Sequence, residues 1–85
     1  MLTPIPLAMA AEGSTVTVVE LRGGIGLVRK ATEMGLNIGA EINIRQRELG
    51  GLVISRGETR YALGGGMALK IMVLPSMNES SKHDE

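Results

Sequence analysis

The strongest constraint on the fold is the run of residues 27–44, where a helical pattern, a glycine and a strand pattern follow one another. Leu27, Ala31 and Met34 recur at helical spacing, and charged or polar residues fall largely on the other side. Gly35 directly follows this stripe, and a glycine there predicts a left-handed helix end, since glycine has no Cβ to clash. Residues 41–47 then alternate between apolar and polar before charge takes over, which is typical of a half-buried strand. The run therefore predicts a capped helix that turns directly into a strand.

The rest of the chain is dominated by the strand pattern, in which apolar and polar residues alternate. Gly57 and Glu58 form a two-residue connection of the kind that closes hairpins, and Pro75 ends the last strand pattern because proline cannot donate a ladder hydrogen bond. We expect Leu69, Ile71 and Val73 to face the core. A small antiparallel barrel satisfies this pattern, although a small β-sandwich or an open α+β sheet fits the periodicity as well. The predicted strands are 15–21, 41–48, 52–56, 59–63 and 69–74, with a helix at 25–34 and one helical turn at 7–11.

Residues 7–74 resemble the ferrous iron transport protein A (FeoA) family. The resemblance is carried by Glu33-Met34-Gly35-Leu36, by Gly39 and the Ile-x-x-Arg sequence from Ile44, by the opening strand after Gly13, and by Tyr61-Ala62-Leu63 followed by Ala68. The same domain is found at the carboxy terminus of some iron- and manganese-dependent repressors. The resemblance implies a mainly β, SH3-like barrel of about five antiparallel strands, with a short helix inserted after the first strand. It also implies structural turns at Gly13, Gly35 and Gly39.

The resemblance further implies a function. Members of the family are accessories of ferrous iron uptake that act with FeoB, a membrane transporter with a cytosolic G-protein domain. We therefore expect a small cytoplasmic protein that binds this transporter and modulates transport, held by its partner at the inner face of the membrane. A regulatory or oligomerisation module like the repressor domain is the alternative, and a self-assembling barrel is a third.

Length and composition agree with one intracellular domain. The chain has 85 residues, no cysteine, one aromatic residue (Tyr61) and equal numbers of basic and acidic residues. A chain this short supports one thin core, and the absence of cysteine means that nothing requires an oxidising compartment. We expect one domain over residues 1–77 and a disordered polar tail over residues 78–85.

The sequence offers no chemistry of its own. Gly24-Ile25-Gly26 lacks the third glycine of a dinucleotide loop because Arg29 occupies that place, and Gly64-Gly65-Gly66 lacks the Lys of a P-loop. The single histidine, His83, lies in the tail, the glutamates are spread along the chain, and the methionines are better explained by packing than by ligation. We therefore expect no catalysis, no metal site and no cofactor.

A binding module needs a surface, and two are predicted. The first combines Lys30 and Glu33 on the solvent side of the helix with Met72 and Leu74, which alternate away from the core on a strand taken to be at the end of the sheet. The second is a basic face on the middle strands, where a solvated face with ion pairs is the plainer interpretation. A single tyrosine gives no stacking platform, so direct nucleic-acid binding is not expected. The basic face comprises Arg45, Arg47, Arg56 and Arg60.

Overall fold

The computed structural model describes residues 3–76. These residues form six strands, one full helix and two short helical turns. The strands are β1 (Ile5–Pro6), β2 (Thr15–Leu21), β3 (Glu41–Glu48), β4 (Gly51–Arg56), β5 (Thr59–Gly64) and β6 (Ile71–Pro75). The helical elements are a 3₁₀ turn (Leu7–Met9), α1 (Ile25–Glu33) and the single turn α2 (Gly65–Ala68). The predicted tail, 78–85, lies outside the described residues.

All six strands belong to one antiparallel sheet in the order β1-β6-β2-β3-β4-β5. Thr15 lies opposite Asn43, and its hydroxyl donates a hydrogen bond of 2.6 Å to the Asn43 Oδ1 across β2 and β3. The sheet bends at two register shifts, one in β2 against β6 and one in β3 against β4. The predicted number of strands was one too few, because β1 is only two residues long and has no alternation to detect.

The helix end follows from Gly35. Its φ is +76°, its N–H donates to the Thr32 carbonyl at 3.0 Å, and the next N–H, of Leu36, donates to the Ala31 carbonyl at 2.8 Å. These two bonds form a Schellman motif, in which a left-handed residue after the helix satisfies its last carbonyls. Leu36 and Ala31 are both fully buried. The predicted helix end is therefore correct to one residue, since Met34 is the C-cap.

The ends of the sheet meet through helical turns and not through strand pairing. The 3₁₀ turn contacts α2, and α2 packs on β4 and β5. The Gly65 N–H also donates to the Gly50 carbonyl at 2.7 Å, which ties α2 to the β3–β4 turn. The barrel is thus closed by backbone turns at residues 7–9 and 65–68, and β5 remains an edge strand.

One apolar cluster fills the interior. Its fully buried members include Leu7, Val18, Ile42, Ile54 and Ile71, which come from the 3₁₀ turn and from four strands. β2, β3, β4 and β6 each contribute two alternate residues to this cluster, and β5 contributes Leu63 with Tyr61 packed against it, as expected for a sheet with one face on the core. No helix within residues 3–76 is long and apolar enough to cross a membrane.

The last strand differs from the prediction. Leu69 is the C-cap of α2 and Lys70 follows it, so neither residue belongs to β6, and Leu69 is 58% exposed where an inward side chain was expected. Met72 was predicted to face outward, and this is wrong, because it is 5% exposed between Pro6 on β1 and Glu20 on β2. β6 is an interior strand with neighbours on both sides. Residues 3–12, the lead-in segment, cover one edge of β6 through β1, a pairing that the sequence pattern does not predict.

Candidate partner-binding site

An open groove of 490 Å³ lies between α1 and the edge strand β5. Its floor is apolar, with Leu27 and Met34 from the helix and Leu63 and Met67 from the other wall. Two cations, Lys30 and Lys70, stand at its margin. Gly26, Ala62, Gly64 and Gly66 complete the lining. An apolar floor with a cationic rim is the arrangement by which a protein surface accepts an apolar side chain flanked by negative charge.

The groove exists because α1 is only lightly packed. Of its nine residues only Ala31 is buried and Leu27 is half-buried, while the C-cap Met34 is half-buried and packs against the core. Gly23 fits directly against Leu27, where any side chain would overlap the Leu27 side chain. The helix therefore stands beside the sheet edge and leaves its inner flank open.

The residues predicted on the helix and the last strand do not form one surface. Lys30 lines the groove, whereas Glu33 is exposed but is not among the residues that line it. Leu74 is half-buried and lines a second, mostly apolar cavity of 220 Å³ beside Ile5 and Pro75. Met72 is buried and is not available to a partner.

Arg47 has a task inside the fold. Its Nη1 donates to the Ala10 carbonyl at 2.8 Å, and its backbone N–H donates to the Glu12 Oε2 at 2.6 Å. These contacts join β3 to the segment that follows the 3₁₀ turn. The guanidinium is thus already engaged by the chain itself.

The other three arginines are separated by the strand register. Arg56 pairs with Thr59 and Ser55 pairs with Arg60, so Arg56 and Arg60 point to opposite sides of the β4–β5 hairpin. Arg56 lies over the helix end, where its side chain is 3.3 Å from the point that a Cβ on Gly35 would occupy. Arg45 is exposed at the register shift of β3. The four arginines therefore do not share one outward face.

The turn glycines all have the backbone that was expected of them. Gly13, Gly35 and Gly39 have φ values of +84°, +76° and +97°. Gly39 also donates to the Val18 carbonyl at 2.7 Å, which starts the β2–β3 pairing at the end of the turn. These glycines set the backbone geometry of the turns.

Within residues 3–76, no three His, Cys, Asp or Glu side chains come together in a way that could hold a metal ion. Glu41 accepts a hydrogen bond from the hydroxyl of the buried Ser76, the residue that directly follows β6. Its role in the described chain is therefore to fix β6 against β3.

The sequence pattern predicts Lys30 on a partner surface, and Lys30 lines the groove, but the pattern does not predict the groove itself. The helical spacing predicts that Leu27 and Met34 face the core, and nothing in the sequence brings them next to Leu63, Met67 and Lys70. The one available signal was the surplus of apolar residues around a glycine-rich corner at 64–66. The long-range packing of α1 beside β5 creates the rest.

Comparison with known proteins gives a consistent result. The FeoA domain model matches residues 5–75. The putative Fe(2+) transport protein A of Methanocaldococcus jannaschii is 38% identical over 68 residues, which cover 80% of this chain and 83% of that protein. The crystal structure of an iron uptake regulatory protein (FeoA) has a TM-score of 0.80 at 35% identity and covers 88% of this chain and 100% of its own.

A manganese-dependent transcriptional repressor has the same fold over part of its length. Its TM-score is 0.81 at 18% identity, and the match covers 89% of this chain and 43% of the repressor. At that identity the likeness shows the fold alone. Together these likenesses confirm the predicted mainly β, SH3-like architecture with its inserted helix. The chain is a member of the FeoA family.

Proposed function

We propose that this chain is an accessory of ferrous iron uptake that acts by binding and not by catalysis. The observation that carries the proposal is its kinship with the putative Fe(2+) transport protein A of M. jannaschii over four fifths of the chain. Its partner is the cytosolic G-protein region of an FeoB-type membrane transporter, and binding modulates transport. The chain is then cytoplasmic and is held at the inner face of the membrane by its partner.

The geometry supports a binding role through the groove between α1 and β5. Its floor is apolar and open, and Lys30 and Lys70 give its margin a positive charge. A stable interface needs such an apolar centre, since burial of one Leu or Met side chain contributes about 1.5–3 kcal/mol to the free energy of binding. The arginines are spread over several faces and contribute less to a single contact.

Co-purification tests the proposed partner. The chain is mixed with the cytosolic region of the FeoB-type transporter from the same genome, with GDP, with a non-hydrolysable GTP analogue, and without nucleotide. We expect a complex at 1:1 stoichiometry whose affinity depends on the nucleotide. Lys30→Glu should weaken it, while the matched change Arg29→Glu, on the same helix but outside the groove lining, should not.

Uptake in cells gives the second readout. A strain that lacks its own gene for this protein is complemented with the wild type or with either variant, and ferrous iron uptake is measured. Loss of the complex without loss of uptake would contradict the proposed mode of action. Concentration-dependent sedimentation of the chain alone, with no binding to the transporter region, would instead support a self-assembling barrel.

A further inference from the structure

The free side of β5 is ready to form backbone hydrogen bonds. β4 and β5 are joined by the two-residue loop Gly57-Glu58, and Gly57 has φ +62°, as the first central residue of a type II′ turn requires. In such a hairpin the pair next to the loop exchanges backbone hydrogen bonds, and bonded and non-bonded pairs then alternate. The bond of 2.7 Å from Gly65 to Gly50 continues this alternation past the end of β5. The N–H and C=O groups of Ala62 and the N–H of Gly64 therefore point away from β4, whereas the carbonyl of Gly64, the N-cap of α2, faces the first turn of that helix.

These groups open into the groove. Consecutive residues of a strand point to opposite faces, yet Ala62, Leu63 and Gly64 all line the same cavity. A cavity lined by three consecutive strand residues is lined by the edge of the strand. The opposite wall is α1, which presents Leu27, Lys30 and Met34.

The size of the groove fits one added strand. Strand residues repeat every 3.3 Å, neighbouring strands lie about 4.8 Å apart and packed layers about 10 Å apart, so an added residue occupies about 160 Å³. The 490 Å³ of the groove then holds about three residues, which equals the number of edge residues that line it. α1 forms the opposite wall of the groove, so we take the occupant to be a single extended segment and not a folded sheet.

The charge and the lining residues of the groove indicate which kind of partner segment it would bind. Lys30 and Lys70 stand at the rim, and the described residues that line the groove include no carboxylate. The apolar floor accepts alternate side chains of an added strand, while the lysines favour acidic residues between them. Proline-rich recognition does not fit, because it relies on aromatic-lined grooves and Tyr61 is the one aromatic residue of this chain.

The geometry points to β5 as a docking edge for an extended partner segment in which apolar and acidic residues alternate, added to the sheet as a seventh strand between β5 and α1. This inference rests on the proposed function only in taking the partner to be a protein. It names the segment that such a partner must offer. Main-chain bonds to Ala62 provide affinity, and the groove floor and lysines provide selectivity.

A peptide titration tests it directly. The probe is acetyl-Glu-Val-Glu-Leu-Glu-Val-Glu-amide, compared with the same peptide carrying Lys for every Glu and with one carrying Pro for the Glu that precedes Leu. Binding is followed by amide chemical shifts of the ¹⁵N-labelled full chain, together with hydrogen exchange at Ala62. We expect the acidic probe to bind and to slow exchange at Ala62, and both other peptides to bind at least about tenfold more weakly.

Variants separate main-chain pairing from simple charge attraction. Ala62→Pro removes the outward N–H without touching a β4–β5 bond, and proline is tolerated on an edge strand in this orientation. It should weaken the probe about tenfold, while Ala62→Ser, which keeps the N–H, should not. Lys30→Glu combined with Lys70→Glu should also cost about tenfold, against no change for Arg29→Glu. If Ala62→Pro does not fold, the lysine pair and the exchange at Ala62 carry the test.

Four outcomes would overturn the inference. Equal binding of the acidic and basic probes would remove the charge selection, and equal binding by the Pro and Ser variants would remove strand addition. Protection of Ala62 that rises with protein concentration in the absence of peptide would mean that a second copy of the chain pairs along β5. If the probe fails while the chain still co-purifies with the transporter region, the docking edge is wrong and the proposed function stands.

Discussion

Gly35 shows how one residue decides the path of the whole amino-terminal half. Its left-handed backbone caps α1 and turns the chain so that Leu36 enters the core. A Cβ there would be strained by φ +76° and would also lie 3.3 Å from the Arg56 Cδ. Both the positive φ and the close contact with Arg56 therefore require glycine at this position.

Gly35→Val should lower the free energy of unfolding by about 1 kcal/mol or more, because a β-branched residue rarely adopts positive φ. For a domain of this size that loss lowers the melting temperature by about 4 °C or more, measured by circular dichroism. Gly26→Ala is the matched control: Gly26 lies in α1 with φ outside the left-handed range and open space at its Cβ. It should stabilise the fold by about 0.5–1 kcal/mol. An unchanged melting curve for Gly35→Val would show that the cap does not depend on glycine.

Met72→Asp tests the burial of β6. An aspartate at this 5% exposed position places a carboxylate between two neighbouring strands, where it loses hydration and gains no partner. We expect a loss of at least about 3 kcal/mol, enough to unfold a large fraction of a small domain. Leu74→Asp, two residues along the same strand and half-exposed, should cost clearly less. Similar chemical denaturation midpoints for the two variants would contradict the central position of β6.

At the scale of elements, the lead-in segment has the least predictable role. β1 and the 3₁₀ turn show no alternation of apolar and polar residues. Even so, β1 pairs with β6, and Leu7 of the turn is fully buried in the core. Arg47 on β3 holds the segment through the Ala10 carbonyl and Glu12. Arg47, which the sequence predicts on a partner surface, thus holds two segments of the chain together.

Arg47→Ala should loosen this lead-in segment more than the rest of the fold. Loss of a partly buried, charge-assisted hydrogen bond costs about 1 kcal/mol, and the effect should be local. Amide hydrogen exchange should speed up in β1, the 3₁₀ turn and the facing residues of β6, with β4 and β5 little changed. Arg45→Ala, an exposed neighbour on the same strand, is the control and should leave exchange unaltered. Uniform acceleration over the sheet would mean that the segment unfolds only with the whole domain.

At the scale of the whole molecule, the family role and the surface must be compatible. The chain presents an edge strand, a lightly packed helix and a groove with cationic margins, which together fit a binding partner better than a bound ion. The described carboxylates are dispersed or already hydrogen-bonded to the chain. Under the proposed function we therefore expect the partner transporter to carry the iron, with no iron site among residues 3–76 of this protein.

We predict that the isolated protein binds ferrous iron no more tightly than an ordinary protein surface, because iron sites need several imidazole or carboxylate ligands together. Anaerobic isothermal calorimetry on the full chain and on a version ending at residue 77 measures this. A stoichiometric micromolar site that persists in the shortened version would contradict the prediction. Binding only to the full chain would place the ligands in residues 78–85.

The sequence by itself determined the parts of the structure whose cause is local. Five strands, the helix, its glycine cap and the hairpin loop at Gly57 were predicted to within one or two residues, because periodicity and positive φ act over a few neighbouring residues. The resemblance carried by Glu33-Met34-Gly35-Leu36 supplied the family for the same reason, since that motif encodes a local turn.

Only the tertiary structure decided which strand is at an edge and which surface is open. The order of strands depends on pairings between residues far apart, such as Ile5 with Val73, and no local pattern reports them. That order buried Met72, engaged Arg47 and left β5 free beside α1. A side chain's availability to a partner is set by what packs over it, and in this chain the covering residues come from distant segments.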